Sequence, residues 1–392
     1  MSTLPGGRVR YQVINALTER DSARQIWLAL QENCPHSYFT SWGWISAWLA
    51  SLPADREIKL VAAFLDDAPV AAFFVGRARG VRYGFLPSRT LALNATGNSH
   101  FDQIFIEYNR ILVRPDFAPN WTELWDAAGR WDEFVLPGLA SDFAQAASLD
   151  ENVRGVFRVL TDKAENAYWV DLQKIRSANM DYLGLLSSNR RSQIRRSLRE
   201  YEQDGGLTIC EAGDLSEALT MFAGLIELHQ REWKKRGKLG AFANDYFHAF
   251  HERLIRERFE SGEIQLLRVD AGANPLGFLY CFLYQGRVYF YQSGFSYGEG
   301  NAQRPGLVSH YLAILHNASK GCDAYDFLAG EAQYKSSLAT HSAPMLWMRL
   351  IRGSARLRFE RIVLKARDKV KSMPEVLERL KSVRDWFGSR KG

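Results

Sequence analysis

Two stretches of apolar residues, far apart in the chain, follow the same order of strands and turns. The first occupies 57–85 (EIKLVAAFLDDAPVAAFFVGRARGVRYGF) and the second 263–295 (EIQLLRVDAGANPLGFLYCFLYQGRVYFYQSGF). In each, an apolar run ends in a turn of small or acidic residues and resumes at a proline, Pro69 or Pro275. Apolar runs between such turns are typical of buried strands. Each segment predicts a three-stranded antiparallel meander, and the shared spacing predicts an internal duplication.

Apolar periodicity predicts further elements around both meanders. Around the second they are helices 214–236, 243–260 and 305–320, strands 263–270, 275–284, 287–295 and 323–329, and a Gly-rich loop at 296–304. Around the first they are helices 40–51 and 118–128 and strands 103–113 and 131–136. The connection through helix 305–320 is long enough for a right-handed crossover. The strands on either side of it should therefore be parallel neighbours in a mixed sheet.

The 392 residues exceed what one hydrophobic core usually supports. We predict an α/β (α+β) fold of two halves, each a mixed, mostly antiparallel sheet flanked by helices. The predicted divisions are an N-terminal half 1–175, a C-terminal half 176–348 and a basic helical tail 349–392. The N-terminal half is expected to be non-catalytic, because no loop like GEGNAQRPG follows its meander. It is expected to lie on the acceptor side, where a substrate that receives a transferred group would bind.

The net charge of +6 is concentrated in the tail, where 349–392 holds fourteen Lys and Arg against five Asp and Glu. The charge is therefore a property of the tail and does not indicate a general nucleic-acid-binding face. Pro374 divides the tail into two predicted helices, which either pack on the body or contact an anionic membrane surface or a polyanionic partner.

The sequence shows no signal peptide and no segment that would span a membrane. The four cysteines have no metal or disulfide spacing, so we expect a cytoplasmic protein, with a peripheral contact on the inner membrane through the tail as the alternative. His248 and His251 have no third ligand spaced to join them, and we predict no metal site.

The stretch GEAQYK directly follows predicted strand 323–329. Ligands collect at the carboxyl ends of parallel strands in a crossover unit. The Gly-rich loop leads into a helix with Pro305 in its first turn, and free N–H groups at a helix start suit a phosphate. A purely structural turn remains an alternative, since the loop has no Walker pattern. The stretch GEAQYK and the start of the helix at Pro305 are nevertheless both expected to border one crevice.

GEAQYK and the stretches around it resemble an acyltransferase family, and this resemblance implies acyl transfer from a thioester, which needs a base, an oxyanion donor and a proton for the departing thiolate. In this crevice Glu331 would serve as base, Lys335 would balance negative charge or hold a phosphate, and Tyr334 would protonate the sulfur. His229, one helical turn from Trp233, is a second candidate base. The alternative is that Glu331 and Lys335 form an exposed ion pair worth under about 1 kcal/mol and that His229 is structural.

A predicted helix between the halves, SSNRRSQIRRSLREYEQ, is rich in arginine. Arg191, Arg195 and Arg199 recur every four residues, where like charges repel by about 0.2–0.5 kcal/mol per pair. Arg190, Arg191 and Arg195 are therefore candidates, together with Trp233, for binding an anionic donor or acceptor. The phosphates of CoA, a diphosphate-bearing acceptor and tRNA all fit, and a solvated helix face remains the alternative.

Several of these stretches resemble the cellulose-biosynthesis acetyltransferase (CelD/BcsL) family. They are LHQREWKKRGKLGAFA, FHAFH, YFYQSGF, RPG and YDFLAGEAQYK. That family belongs to the GNAT superfamily and is related to the FemAB peptidyltransferases, which contain two GNAT-like halves. The resemblance, which covers roughly 190–339, implies two tandem GNAT-like halves and acyl-CoA as co-substrate.

The resemblance also implies a pyrophosphate-binding loop of pattern Q/R-x-x-G-x-G/A. The chain meets this pattern at Gln303 and Gly306 and departs from it at Val308, where a small residue is usual. The cofactor-binding residues it implies are Tyr291, Ser293, Gln303, Arg304, Gly306 and Leu307.

Three functions stay open at this point. The first is an N- or O-acyltransferase that moves an acyl group from acyl-CoA to an amino sugar or related precursor of an extracellular polysaccharide, by direct attack in a ternary complex. The second is a FemAB-type ligase that uses aminoacyl-tRNA. The third is a non-catalytic module that senses an anionic nucleotide or docks a synthase complex at the membrane.

Overall fold

The computed structural model describes residues 8–82, 86–149, 157–203, 205–298 and 303–352. The predicted helices of the basic tail lie beyond this range. The described strands are β1 Arg10–Asn15, β2 Ile58–Leu65, β3 Ala68–Arg82, β4 Leu86–Leu93, β5 Leu112–Val113, β6 Glu133–Ala140, β7 Phe157–Asp171, β8 Leu207–Glu211, β9 Ile264–Ala271, β10 Asn274–Tyr284, β11 Arg287–Phe295, β12 Ala324–Ala329 and β13 His341–Arg352.

The helices lie on both sides of the sheet that these strands form. They are α1 Arg20–Gln31, α2 Trp42–Ser51, α3 Trp121–Ala127, α4 Ser141–Leu149, α5 Leu172–Ser177, α6 Tyr182–Leu185, α7 Ser188–Gln203, α8 Leu215–Lys235, α9 Asp245–Arg258, α10 Pro305–Ser319 and α11 Gln333–Leu338. Among the described residues, no helix combines the length and apolarity needed to cross a bilayer.

The sheet is continuous and nearly symmetric about its centre. Its strand order is β1-β2-β3-β4-β6-β13-β7-β12-β11-β10-β9-β8, with β5 beside β3. From one end of the sheet, β1, β2, β3, β4 and β6 are followed by β13. From the other end, the strands β8 to β12 are followed by β7. The C-terminal β13 completes the first half beside β6, and β7 completes the second half beside β12. β7 and β13 pair antiparallel and join the two halves. The predicted mixed α/β fold with two similar halves is thus confirmed.

The second meander and its crossover form as predicted. β9, β10 and β11 are antiparallel neighbours, α10 follows, and β11 pairs with β12 in parallel. In the first half two predictions are wrong. The segment 68–82 is one long strand, so the third strand of that meander is β4 rather than a strand ending at 85. The predicted strand 103–113 is a short 3₁₀ turn, Phe101–Ile104, followed by a loop and the two-residue β5.

A large aromatic core is shared by the two halves. It packs α1 and α2 of the first half against α8, α9 and the sheet of the second. The Trp44 ring lies 4.9 Å from Phe250 and 5.6 Å from Phe282 between ring centroids. Aromatic side chains of this size contribute strongly to packing when buried. The shared core therefore holds the two halves in a fixed relation where they meet at a cleft.

Candidate functional site

The cleft lies where β11 and β12 separate. The two strands pair only over Arg287–Tyr289 and Ala324–Asp326, although β11 continues to Phe295 and β12 to Ala329. Beyond the paired region they enclose a cleft of about 990 Å³ at their carboxyl ends. This is the position predicted from the crossover pattern, because ligands of open α/β sheets bind where neighbouring strands part.

Both strands are irregular beside the cleft. On β11 the register against β10 skips Tyr291, which makes that residue a β-bulge. On β12 the backbone of Leu328 is left-handed, with φ of 61°, an uncommon conformation for a branched residue. The Leu328 N–H donates to Asp326 Oδ1 at 2.7 Å, which stabilises this turn. Such irregularities bend a strand and are frequent next to active sites.

A carboxylate from the first half holds the end of β12. The Ala329 N–H donates to Glu107 Oε2 at 2.8 Å, and Lys335 Nζ donates to the Ala329 carbonyl at 2.5 Å. Glu107 and Lys335 thus bind the two backbone groups of one residue, and both line the cleft. A carboxylate and a cation that are far apart in sequence are thus brought together at the end of β12.

Burial shapes the electrostatics of this pair. It raises the pKa of Glu107 to about 7, although the Ala329 N–H and the positive charge of Lys335 both oppose the rise. Burial also lowers the pKa of Lys335, while the negative charges of Glu107, Asp326 and Glu165 oppose that change. A carboxyl group that titrates near neutral pH is suited to accept a proton from an attacking amine or hydroxyl.

The start of α10 lies at the other side of the cleft. Arg304 is its N-cap residue, with φ of 43°, and makes no side-chain capping hydrogen bond within the described residues. A Cβ on Gly306 would lie 3.2 Å from the Phe295 ring, so the helix start packs closely on the end of β11. Arg304, Gly306 and Leu307 line the cleft. N–H groups and a cationic side chain at a helix start are suited to bind phosphate.

The other residues predicted for the donor site divide into two groups. Tyr291 and Ser293 line the cleft, and the Tyr291 hydroxyl donates to the Ile104 carbonyl of the first half at 2.6 Å. Gln303 is not among the residues that line the cleft, and its Oε1 lies near Gly298.

The candidate acid and bases also differ in position. Tyr334 lines the cleft with its ring stacked on His310 at 5.2 Å, and burial raises the pKa of its hydroxyl, which therefore stays protonated. His229 lines the cleft beside Trp233, and burial lowers its pKa. Glu331 is exposed and is not among the lining residues.

The mouth of the cleft is basic. Arg236, Lys238 and Arg304 line it, and Lys238 Nζ lies 5.6 Å above the Trp233 ring. Arg190 is close enough to Arg304 that the charge of Arg304, together with burial, lowers the pKa of Arg190. The described part of this surface is therefore suited to an anionic ligand.

Arg191 and Arg195 do not line this cleft. With Arg199 they line a separate groove of about 650 Å³ on the outer face of α7. Of the predicted anion-binding set, Trp233 therefore lines the donor cleft, Arg191 and Arg195 line this groove, and Arg190 lines neither. Within the described residues, no group of three or more His, Cys, Asp or Glu side chains is arranged to hold a metal ion.

Comparison with known families covers the part of the chain that builds most of the cleft. Residues 188–336 match the family described as acetyltransferase (GNAT) domain. Residues 188–336 are thus similar to a GNAT acetyltransferase domain. This domain, which includes β11, α10, β12 and Lys335, supports the assignment of the chain as an acyltransferase. A search of curated proteins found no match.

Solved structures resemble the whole chain and not only the GNAT domain. A crystal structure of FemX has a TM-score of 0.57 at 12% identity and covers 89% of this chain and 98% of its own. The C-terminal domain of a putative lysylphosphatidylglycerol synthetase from Agrobacterium fabrum has a TM-score of 0.50 at 11% identity, with coverage of 87% and 95%. A tandem GNAT protein from the clavulanic acid biosynthesis pathway has a TM-score of 0.47 at 12% identity, with coverage of 89% and 100%. At these identities the likeness to the first two shows the fold.

Sequence reasoning missed Glu107, which lies outside the matched GNAT domain. The stretch IFIEYN places one acidic residue among apolar and aromatic ones, and this was the available signal. A glutamate between apolar neighbours is rarely buried without a partner. The partner, Ala329, comes from the opposite half of the molecule, so no local pattern could identify it.

Proposed function

We propose that the chain transfers an acyl group from acyl-CoA to an amino sugar or related precursor of an extracellular polysaccharide, by direct attack in a ternary complex. The separation of β11 and β12 beside the start of α10 supports this proposal most directly. It gives a cleft of about 990 Å³, with a cationic helix start for the phosphates and the half-buried carboxylate of Glu107 in its lining. The basic tail would add contact with a membrane or a synthase complex.

The residues of the cleft have distinct roles in this proposal. We transfer the role of base from the exposed Glu331 to Glu107, which takes the proton of the attacking N–H or O–H. The new bond forms at the thioester carbon as the C–S bond breaks, and the protonated Tyr334 hydroxyl donates to the departing thiolate. Lys335 holds the Ala329 carbonyl and balances negative charge, and His229 would assist at the acceptor end.

Donor binding is tested by thermal unfolding with acetyl-CoA. A ligand at 100 times its Kd adds about 2.7 kcal/mol to the free energy of unfolding, so the melting temperature should rise measurably. Acetyl-pantetheine, which keeps the thioester but lacks the phosphates, is the matched control and should give a much smaller rise. If no acyl-CoA of any chain length raises the melting temperature, the proposal fails.

A FemAB-type reaction with aminoacyl-tRNA is the second candidate. The arginine groove on α7 and the departure from the phosphate-loop pattern at Val308 favour it. Stabilisation by tRNA but not by acyl-CoA would support this candidate. Stabilisation by a cyclic dinucleotide alone, with function unaffected by changes at Lys335, would support a non-catalytic module instead.

We expect Lys335→Met to slow turnover by about 10²-fold and to shift its pH dependence. The positive charge of Lys335 lowers the pKa of Glu107. Without that charge the pKa rises further, so the fraction of Glu107 that can accept a proton at neutral pH falls. The rising limb of the kcat–pH profile should move to higher pH. The exposed Lys320, paired with Glu211 at 2.7 Å, provides the control variant Lys320→Met, which should keep the wild-type profile. If the kcat–pH profile of Lys335→Met is unshifted, the charge of Lys335 does not lower the pKa of Glu107 as we argue.

A further inference from the structure

The first half contains a cavity at the position that corresponds to the donor cleft. β4 and β6 pair in parallel over Thr90–Ala92 and Glu133–Val135, as β11 and β12 do in the second half. A cavity of about 510 Å³ opens beside the ends of these two strands. The duplication has therefore produced two cavities, only one of which lies in the matched GNAT domain.

The two cavities meet at Phe105 and Glu107, which line both of them. Phe105 has a left-handed backbone, with φ of 45°, and 58% of its surface is exposed although it is a large apolar residue. Phe105 and Glu107 belong to the same loop and are separated by one residue. A molecule in the first-half cavity would thus reach the proposed base from a cavity separate from that of the donor.

Charge distinguishes this cavity from a second donor site. Among its described lining residues Lys163 is the one cation, and its Nζ is paired with Glu165 at 2.8 Å. Asp102, Glu107 and Glu165 contribute three carboxyl groups to the lining. The donor cleft is instead lined by four cations, Arg236, Lys238, Arg304 and Lys335, against two carboxyl groups, Glu107 and Glu232. A pyrophosphate would be repelled from the first-half cavity, whereas an ammonium group would be attracted to it.

The rest of the lining is apolar and aromatic. Trp347 and Phe105 present ring surfaces and Val135 a small apolar one, and the almost fully buried Trp48 and Ala92 complete the lining. Lys163 lies 4.6 Å above the Trp347 ring, which holds that indole in place. Rings of this kind pack against the flat apolar face of a sugar or an aromatic group.

We infer that this cavity binds the acceptor, and that the acceptor is a primary amine, otherwise uncharged, on a sugar or similarly flat group. The inference rests on the proposed function and specifies its substrate class. Bound there, the amine would lie at Glu107, between its own cavity and the thioester in the donor cleft.

The test uses the full chain with acetyl-CoA and two amino sugars. The first is 4-nitrophenyl 2-amino-2-deoxy-β-D-glucopyranoside, which is uncharged apart from its amine, and the second is glucosamine 1-phosphate. We expect kcat/KM to be at least about tenfold higher for the first. Val135→Trp fills the cavity and should lower kcat/KM for the glycoside by at least about tenfold, mainly through KM. The rise in melting temperature caused by acetyl-CoA should not change.

Val13→Trp is the matched control, because Val13 lies exposed on the outer strand β1. It should behave like the wild type. If Val135→Trp fails to fold, Thr90→Leu, at the same cavity, is judged by the same criteria.

Each result decides between the two proposals. If acetyl-CoA raises the melting temperature but Val135→Trp turns over the glycoside like the wild type, the acceptor site is wrong and the donor site stands. If the protein prefers glucosamine 1-phosphate, or acetylates neither amine, the proposed substrate class is wrong and the donor site stands. If acetyl-CoA causes no rise, the proposed function itself fails.

Discussion

Replacement of Glu107 by Gln is expected to lower kcat by about 10²- to 10⁴-fold, the usual contribution of a positioned general base. Glutamine keeps the size of the side chain and an oxygen that can accept from the Ala329 N–H, so the end of β12 should keep its position. What the variant loses is the ability to take a proton. The rise in melting temperature caused by acetyl-CoA should persist, because the phosphate-binding end of the cleft is unchanged.

The pH dependence gives this prediction a second measurement. Glu107 must be ionised to act as a base, and its pKa is raised to about 7. In the wild type kcat should therefore rise with pH through about 7 and level off above it, since the carboxylate form increases over that range. The residual activity of Glu107→Gln should lack this limb. Our assignment would be contradicted if Glu331→Gln lost all activity while Glu107→Gln behaved like the wild type. The role of base would then return to Glu331.

Replacement of Asp326 by Ala is expected to reduce the free energy of unfolding by about 3–5 kcal/mol, as for other broken buried ion pairs. Asp326 is fully buried. Its carboxylate accepts from Tyr108 OH at 2.7 Å, Arg287 Nη1 at 2.5 Å and Leu328 N at 2.7 Å. The variant would leave the half-buried Arg287 guanidinium and the half-buried Tyr108 hydroxyl without this acceptor. Urea denaturation, with the midpoint and the slope both fitted, measures the loss.

Asp323→Ala is the control for this experiment. Asp323 belongs to the same segment and lies 3.6 Å from Arg176, but its side chain is 55% exposed. Exposed pairs contribute under about 1 kcal/mol, so the control should lose little stability. Equal losses in the two variants would show that the buried network does not stabilise this part of the sheet as we argue.

The second half of the fold was largely predictable because its signals are local. Each strand of β9–β11 is a short apolar run closed by a turn, and Pro305 marks the first turn of α10. A crossover of that length leaves parallel pairing as the usual result. The location of the cleft then follows from the topology alone, before any side chain is considered.

The strands at the centre of the sheet could not be predicted in this way. β7 reads FRVLTDKAENAYWVD, and most of its residues are exposed or half-buried. Its partner β13 lies far along the chain, and only their pairing explains why such a polar segment is extended. For β3 the error was of the opposite kind, because a continuous strand was predicted to be interrupted. Three strands were predicted within 57–85, but the second of them continues through the glycines of GRARG as far as Arg82.

The candidate site shows the same limit at the level of single residues. Lys335, Tyr334 and Glu331 share one short stretch, yet only the first two face the cleft. Which side chains point inward depends on the left-handed Leu328 and on Glu107, both of which are consequences of tertiary contacts. Sequence reasoning could therefore identify the correct stretch but not assign the carboxylate.

The exchange of β13 and β7 between the halves constrains the order of events during synthesis. When the ribosome has made the first half, β6 has no neighbour on its inner side, because that neighbour is the much later β13. An unpaired strand of this kind is prone to associate with other chains. The nascent protein must therefore keep β6 from such contacts until residues near 341–352 have emerged. Release of the chain before that point would leave β6 and β7 each without a neighbour on the side that β13 occupies.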